Sequence, residues 1–294
     1  MTTGTAPQYL TTRELADLLR VKERRVYELA AAGEVPCSRV TGKLLFPADA
    51  VKAWIEAAAG TAERPRPAVV LGSHDPLLDW ALRESGSALA SYLDGSRDGL
   101  DRFAAREGIA CGLHVFDPAS DAWNVPAVRG GAGRGAVLVA FARRRRGLVV
   151  RPGEEGVAGG AGGLATLAGR RVVRRQAGAG AEILFAHLAA RDGLDPATLA
   201  PGPVVRTEAE AAMAVLQGEA DAALGLEALA AQVGLAFVPV IDEAFDLLVD
   251  RQAWFEPPMQ RLIAFCASPA FAARAAQMPG YDVATFGQVR WNDG

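Results

Sequence analysis

A chain of 294 residues is long enough for one large domain or two to three ordinary ones, each with its own core. The composition, with 50% hydrophobic and 22% charged residues, is typical of a globular protein and excludes bulk disorder. No stretch approaches the roughly 18 apolar residues that a membrane span needs, and the N-terminus lacks a basic region followed by an apolar core. We therefore expect a cytoplasmic protein without membrane contact.

Cysteine and histidine spacing predicts no metal site, and we expect no covalently bound cofactor. The three cysteines and three histidines lie far apart, in no metal-ligand pattern: Cys37, Cys111, Cys266, His74, His114 and His187. The net charge of −3 is uneven, because residues 1–66 hold ten Lys and Arg against eight Asp and Glu. This mild asymmetry permits contact with nucleic acid at the front of the chain.

The first sixty residues predict two short helices, a hairpin and a third helix. Thr11 or Thr12 starts the first helix, and Gly33 ends the second. The predicted elements are a helix ending at Leu19, a helix over 23–32, strands over 35–40 and 43–46 around Thr41-Gly42, and a helix over 47–55.

This segment resembles the winged helix-turn-helix domains of the excisionase and MerR-like families. The resemblance covers the opening from Leu10 to Pro36, the hairpin wing and the helix with Trp54. Arg24-Arg25 departs from the family, which often carries a small hydroxyl residue there. The polar face of the second helix would enter a major groove, and cations beside the wing suit phosphates. Candidate DNA-binding residues are Arg13, Lys22, Arg24, Arg25, Tyr27, Arg39 and Lys43. The alternative is a solvated basic face with no target.

A proline-punctuated connector separates this domain from a larger one. We predict a DNA-binding domain over 1–60, a linker over 61–67 and a ligand-binding domain over 68–294. In the last of these, strands and helices alternate, which favours a mainly parallel sheet covered by helices. Such sheets bind ligands at the carboxyl ends of their strands.

Two strand-turn-helix segments predict an anion site. In the first, Gly72-Ser73-His74-Asp75 follows a buried strand and begins a helix, where backbone N–H groups and the helix dipole favour an anion. In the second, Ala177-Gly178-Ala179-Gly180 follows the strand at 171–174. If the two turns face each other across a cleft, they would hold one small anion. The alternative is that Ser73 or Asp75 only caps its helix.

The order of elements predicts two lobes with doubly wound sheets. The first would cover about 68–145 and 245–294 and the second about 146–244, with crossings near 143–149 and 240–250. We expect separate strands on either side of each crossing, at 136–142 and 147–150 and at 236–241 and 245–249. The run Arg143–Arg146 would then be a solvated crossover. The final helices, over 257–267 and 270–277, should pack back on the first lobe.

This larger domain resembles a two-lobed type II periplasmic-binding-protein-like domain, related to molybdate-binding proteins and often fused behind a helix-turn-helix. The matching pieces are 72–78, 112–118, 124–126, 174–176 and 218–225. The resemblance implies that Ser73 and the Gly178 turn cradle a ligand, with His114 and Asn124 nearby. Candidate ligand-binding residues are Ser73, His74, His114, Asn124, Gln176, Ala177, Gly178, Ala179 and Gly180. The alanines replace hydroxyl residues that are usual in this turn, so only its backbone N–H donors remain.

The two resemblances together predict a transcriptional regulator that binds double-stranded DNA as a homodimer and responds to a small anion, molybdate or tungstate among the candidates. Enzymatic activity is not expected, because adjacent Ser73 and His74 seldom point at each other and Gly178-Ala179-Gly180 is too short for a dinucleotide fingerprint. Two alternatives remain: a cytoplasmic solute-binding protein whose front domain contacts other proteins, and an excisionase-like recombination accessory factor.

Overall fold

The computed structural model describes residues 8–40, 42–58, 65–131, 133–158 and 163–293. The chain divides into two units between Pro65 and Arg66, and each is built around its own core. Most of the predicted linker and Thr41 of the predicted wing turn lie outside the described residues. Over the described part of the chain, no helix is long and apolar enough to span a membrane.

The N-terminal unit has the predicted order of helices, hairpin and helix. Thr11 caps the first helix in a capping box with Glu14, so the predicted start is confirmed. The core contains Leu15, Val26 and Phe46, which are fully buried. The elements are β1 (Tyr9–Leu10), α1 (Thr12–Leu19), α2 (Glu23–Ala31), β2 (Ser38–Val40), β3 (Lys43–Pro47) and α3 (Ala48–Ala58), with the strands in the order β1-β3-β2.

The C-terminal unit begins with alternating strands and helices. Its first half contains β4 (Val69–Gly72), α4 (Pro76–Glu84), β5 (Ala90–Tyr92), α5 (Ser96–Ala104), β6 (Ala110–Leu113), β7 (Phe116–Asp117), β8 (Ala122–Trp123), α6 (Val125–Arg129), β9 (Ala136–Val150) and α7 (Glu155–Ala158). Its second half contains β10 (Val172–Arg175), α8 (Gly180–Arg191), β11 (Val204–Val205), α9 (Glu208–Leu216), β12 (Ala222–Leu226), α10 (Glu227–Gln232), β13 (Ala236–Asp250), α11 (Arg251–Trp254), α12 (Pro257–Cys266), α13 (Pro269–Ala276), β14 (Tyr281–Asp282) and β15 (Val289–Asn292).

One mixed sheet runs through this unit in the order β11-β10-β12-β9-β13-β6-β4-β5. The outer strands are parallel, as predicted: β10 pairs in parallel with β11 and β12, and β4 with β5 and β6. The centre is antiparallel, because β9 and β13 run side by side and join the two halves. We call the half with β4–β6 lobe 1 and the half with β10–β12 lobe 2. The predicted α/β fold class is confirmed.

The two long central strands differ from the sequence prediction. We expected each to be interrupted between the lobes, but β9 and β13 are continuous over 15 residues each. The prediction that Arg143–Arg146 form a solvated crossover is wrong for two of the four residues. Side chains alternate along a strand, so Arg143 and Arg145 are exposed while Arg144 and Arg146 are buried.

The C-terminal segments return to lobe 1, as predicted. Phe271 on α13 packs edge-on against Phe141 of β9, with ring centroids 5.6 Å apart. Two short strands that the sequence did not predict, β14 and β15, pair with β9 on the side away from β13. The first half of β9 is therefore central in lobe 1.

Candidate ligand-binding cleft and nucleic-acid interface

Two buried serines from different turns meet at the carboxyl end of lobe 1. Ser73 follows β4 and Ser96 begins α5, and their hydroxyl oxygens are 2.8 Å apart. The backbone N–H of His114, just after β6, donates to the Ser96 hydroxyl at 3.2 Å. Ser73 is 3% exposed and Ser96 fully buried. One of the two hydroxyls donates to the other, so this arrangement leaves one O–H as a donor to an oxyanion.

The predicted lobe 2 turn contacts this part of lobe 1. A Cβ placed on Gly180 would lie 2.5 Å from the backbone oxygen of His114 and 2.8 Å from its ring. A Cβ on Gly95 would lie 3.5 Å from the Cα of Ala179. Gly178 has a φ of +87°, a conformation that favours glycine. The turn therefore meets the segments that carry Ser96 and His114, and it can do so only because Gly180 lacks a side chain.

Asp94 links the lobes at the edge of the same contact. Its carboxylate accepts a hydrogen bond from Arg206 at 2.5 Å, and its backbone oxygen accepts one from the side-chain amide of Gln176 at 3.3 Å. The Arg206 side chain is largely exposed, so this ion pair lies where solvent can compete. We call these contacts the Asp94 latch.

A buried ionic cluster joins the two central strands to both lobes. Arg144 donates to Asp75 at 2.7 Å and also pairs with Glu243. Arg146 bonds Glu243 at 2.8 Å and Glu208 at 3.1 Å. Six charged residues, three of each sign, form what we call the hinge cluster: Asp75, Arg144, Arg146, Arg175, Glu208 and Glu243.

The hinge cluster reaches both candidate ligand turns. In lobe 2, Arg175 pairs with Glu208 at 2.8 Å and directly precedes Gln176 in the chain. In lobe 1, Glu243 accepts from the His114 ring at 3.1 Å, and the N–H of His114 bonds Ser96. The cluster thus fixes the residues beside each turn.

The charges of the hinge cluster compensate one another. Burial alone would raise the pKa of Glu243, but Arg144 and Arg146 hold that pKa well below its usual value. Glu208 behaves in the same way, because Arg146 and Arg175 lower its pKa. Burial lowers the pKa of His114, although the carboxylate of Glu243 lies 3.1 Å from its Nδ1 atom. Three arginines and three carboxylates then leave no net charge.

The remaining predicted ligand residues have varied environments. Asn124 is fully buried, and its amide is engaged by the backbone of Val115 and Ala244 and the carboxylate of Asp246. His74 is half-buried, and its Nδ1 atom has no partner in the described structure. The same is true of the Gln176 Oε1 atom. Ala177 is exposed.

The predicted DNA-binding residues lie on one groove and the neighbouring helix face of the N-terminal unit. Arg13, Tyr27, Arg39 and Lys43 line a groove of about 710 Å³. The other three candidates, Lys22, Arg24 and Arg25, are exposed at the start of α2. Arg24 and Arg25 both pair with Glu28, at 3.2 and 3.3 Å.

Several residues of the cleft were missed by sequence reasoning. Ser96 could have been found, because Gly95-Ser96 repeats the pair Gly72-Ser73 between a strand and a helix. Arg144 and Arg146 are two residues apart, the spacing at which side chains of a strand share one face, so a strand through this basic run would bury both. Glu208 and Glu243 carried no signal, since their arginine partners lie 62 and 97 residues away along the chain.

Comparison with known families gives two matches within the chain. A PBP superfamily domain matches residues 80–267, and a helix-turn-helix domain matches residues 9–59. Along 95% of its length, the chain is 26% identical to the uncharacterized protein YvgK of Bacillus subtilis (strain 168), of which the match covers 96%. Neither excisionase nor MerR membership follows from these matches.

Solved structures with the same fold each cover about three quarters of the chain. One is a putative phosphate ABC transporter substrate-binding protein from Clostridium perfringens with bound phosphate: TM-score 0.51, 10% identity, covering 76% of this chain and 99% of that one. Another is PhnD1 from Prochlorococcus marinus with methylphosphonate: TM-score 0.51, 9% identity, covering 76% and 94%. At these identities the likeness shows the fold alone.

Proposed function

From a chain that belongs to the PBP superfamily and carries a helix-turn-helix domain at its front, we propose a transcriptional regulator. In this proposal, the regulator binds a small oxyanion between its lobes. The domain pair supports a ligand-binding, DNA-binding regulator. Molybdate and tungstate are the oxyanions we favour. We further propose that it works in the cytoplasm as a homodimer on paired half-sites, as helix-turn-helix proteins commonly do.

The observation that carries the ligand proposal is the pair of buried hydroxyls at Ser73 and Ser96, together with the packing of the Gly178–Gly180 turn on the segments that carry Ser96 and His114. The arginines nearby are already paired with carboxylates, so the anion would be bound by neutral donors. Hydroxyl and backbone N–H groups can bind an anion in this way. The lobe 2 turn contributes its backbone only, because its other residues are alanines.

Lobe closure supplies the regulatory step in this proposal. An anion that contacts both turns binds the closed form more tightly than the open one, and this difference in affinity shifts the population toward closure. A tenfold difference corresponds to about 1.4 kcal/mol. The Asp94 latch and the Gly180 contact exist only when the lobes meet, so both stabilise the closed form relative to the open one.

A ligand screen tests the sensor half of the proposal. Thermal unfolding of the full chain is measured with molybdate, tungstate, sulfate, phosphate, methylphosphonate and small carboxylates. We expect a rise in melting temperature with molybdate or tungstate, reduced in Ser73→Ala and in Ser96→Ala. Ser91→Ala, on the exposed strand β5, is the matched control and should retain the full shift. If no anion shifts the wild-type transition, the sensor proposal fails.

DNA binding tests the other half. A gel-shift assay with the DNA upstream of the coding sequence should show a complex that weakens as salt rises, because phosphate contacts release counterions. We expect Arg24→Ala/Arg25→Ala to weaken the complex and to reduce its salt dependence. Arg83→Ala/Arg191→Ala removes the same charge from exposed positions of the C-terminal unit and should change neither. Unchanged affinity and salt dependence after the first double change would overturn the assignment of α2.

A further inference from the structure

The outward face of α2 has an acidic residue at its centre. Successive residues of an α-helix are rotated by about 100°, and Val26 and Ala30 are the buried residues of this helix. The position opposite them is Glu28, whose side chain is 47% exposed. The basic side chains of Arg24 and Arg25 flank it on either side.

Glu28 binds both neighbouring arginines. Its Oε1 atom accepts from Arg24 Nε at 3.2 Å, and its Oε2 atom accepts from Arg25 at 3.3 Å. Together with Lys22 and Glu23, the start of this helix carries three cations and two anions. Its net attraction for a phosphate backbone is therefore small, although its arginines are exposed.

We propose that Glu28 is a specificity-determining residue that accepts a hydrogen bond from a cytosine amino group in the major groove. This inference rests on the proposed DNA-binding function of α2. Phosphates and most major-groove base atoms are hydrogen-bond acceptors and repel a carboxylate. The amino donors are N4 of cytosine and N6 of adenine, and the adenine donor adjoins the acceptor N7, so a carboxylate favours cytosine. Glu28 therefore lowers affinity for arbitrary DNA, and a cytosine at the right position restores it.

The two ion pairs add to this selectivity. Without DNA, Glu28 holds Arg24 and Arg25 close to the helix surface, so the arginines must leave it to reach phosphates or guanine edges. If the duplex offers Glu28 no hydrogen-bond donor, the carboxylate stays unpaired after Arg24 and Arg25 have moved to the DNA, and binding is weaker. A role limited to helix stability would contribute little and would not depend on the DNA sequence.

Selection from a randomised duplex pool tests the proposal. The full chain, Glu28→Gln, Glu28→Ala and the control Glu34→Gln each select duplexes in parallel. Glu34 lies beyond the end of α2, so Glu34→Gln makes the same charge change away from the outward face. We expect wild type and Glu34→Gln to enrich cytosine at one position by about 5-fold or more. Glu28→Gln should change that position to adenine, which a glutamine pairs with at N6 and N7.

Glu28→Ala should lose the preference at that position alone and bind unselected duplex more tightly than wild type. Cytosine enrichment that persists in both Glu28 variants would overturn the proposal, as would an equal loss of preference at every position. Failure of the proposed function looks different, because the wild-type chain would then enrich no sequence at all. Urea unfolding of each variant confirms that the N-terminal unit is folded.

Discussion

Arg24-Arg25 on α2 and the run from Arg143 to Arg146 on β9 are both adjacent basic residues in the sequence, but they end in opposite environments. The α2 pair lies on an exposed helix face with one carboxylate nearby. In the β9 run, every second arginine enters the core and meets carboxylates from distant segments. The α2 pair is exposed to an external partner, whereas the buried arginines of β9 form ion pairs within the fold.

The different environments of the two arginine runs come from backbone geometry and from the carboxylates nearby, because the residue type is the same in both. A helix with one buried stripe leaves most polar positions in solvent, whereas a central strand with neighbours on both sides buries alternate side chains whatever they are. A buried arginine then needs a carboxylate, and the hinge cluster supplies three. The charged side chains of α2 therefore stay exposed to solvent, whereas those of the hinge cluster compensate one another inside the fold.

Removing a hinge carboxylate should have the largest effect on stability. Glu243→Gln leaves Arg144 and Arg146 buried with incomplete compensation, which should lower the free energy of unfolding by about 3–5 kcal/mol. Glu227→Gln breaks the exposed pair with Arg145 and should cost less than about 1 kcal/mol. Urea unfolding of the full chain measures both. Equal costs would mean that burial does not distinguish the two kinds of ion pair.

Asp246 is a buried carboxylate whose arginine contact is longer than those of the hinge cluster. Burial raises its pKa from 3.8 to about 6, although Asn124 donates to it and Arg290 lies 3.9 Å away. The folded protein therefore binds a proton more tightly than the unfolded chain. The stabilisation from this protonation is complete below pH 3.8 and is lost as pH rises through about 6.

Asp246→Asn should accordingly stabilise the protein at pH 7, by on the order of 1–3 kcal/mol, and have little effect near pH 4. The measured quantity is the difference in unfolding free energy between variant and wild type at each pH from 4 to 8. Asp242→Asn, on the exposed face of the same strand, is the control and should show no such trend. A difference that does not change with pH would contradict the raised pKa.

The sequence predicted this fold through local periodicity but missed what depends on long-range pairing. Thr11, Gly33 and the apolar stripes of α1 and α2 placed the front elements, because capping and helical spacing are local signals. The continuity of β9 and β13 depends on their mutual register, which no short window contains. Polar runs such as Arg143–Arg146 and Asp242-Glu243 therefore indicated breaks where the strands continue.

The candidate cleft was predictable only in part for the same reason. Ser73 and the Gly178 turn were identified because each follows a strand and begins a helix. Ser96, the first residue of α5, was missed because its partners Ser73 and His114 lie 23 and 18 residues away along the chain. Whether Ser73, Ser96 and the Gly178 turn bind an anion stays a prediction for the ligand screen.

Lobe contact can be tested without changing any charge. In Gly180→Ala, the new Cβ would lie 2.5 Å from the His114 backbone oxygen, so the lobes must separate to accommodate it. We expect molybdate affinity to fall about 10-fold or more and the radius of gyration, measured by small-angle X-ray scattering, to increase. Gly156→Ala, in a helix of the same lobe with open space around it, should change neither. An unchanged radius and affinity in Gly180→Ala would show that the turn does not control closure.

The smallest effect on stability is expected for the exposed arginines of α2. Arg24→Ala/Arg25→Ala removes two surface ion pairs with Glu28, so the unfolding free energy should change by no more than about 0.5 kcal/mol. The same change should reduce the slope of log affinity against log salt by about 2, one unit for each lost phosphate contact. A large loss of stability with an unchanged slope would place these arginines, like Arg144 and Arg146, among the residues that hold the fold together.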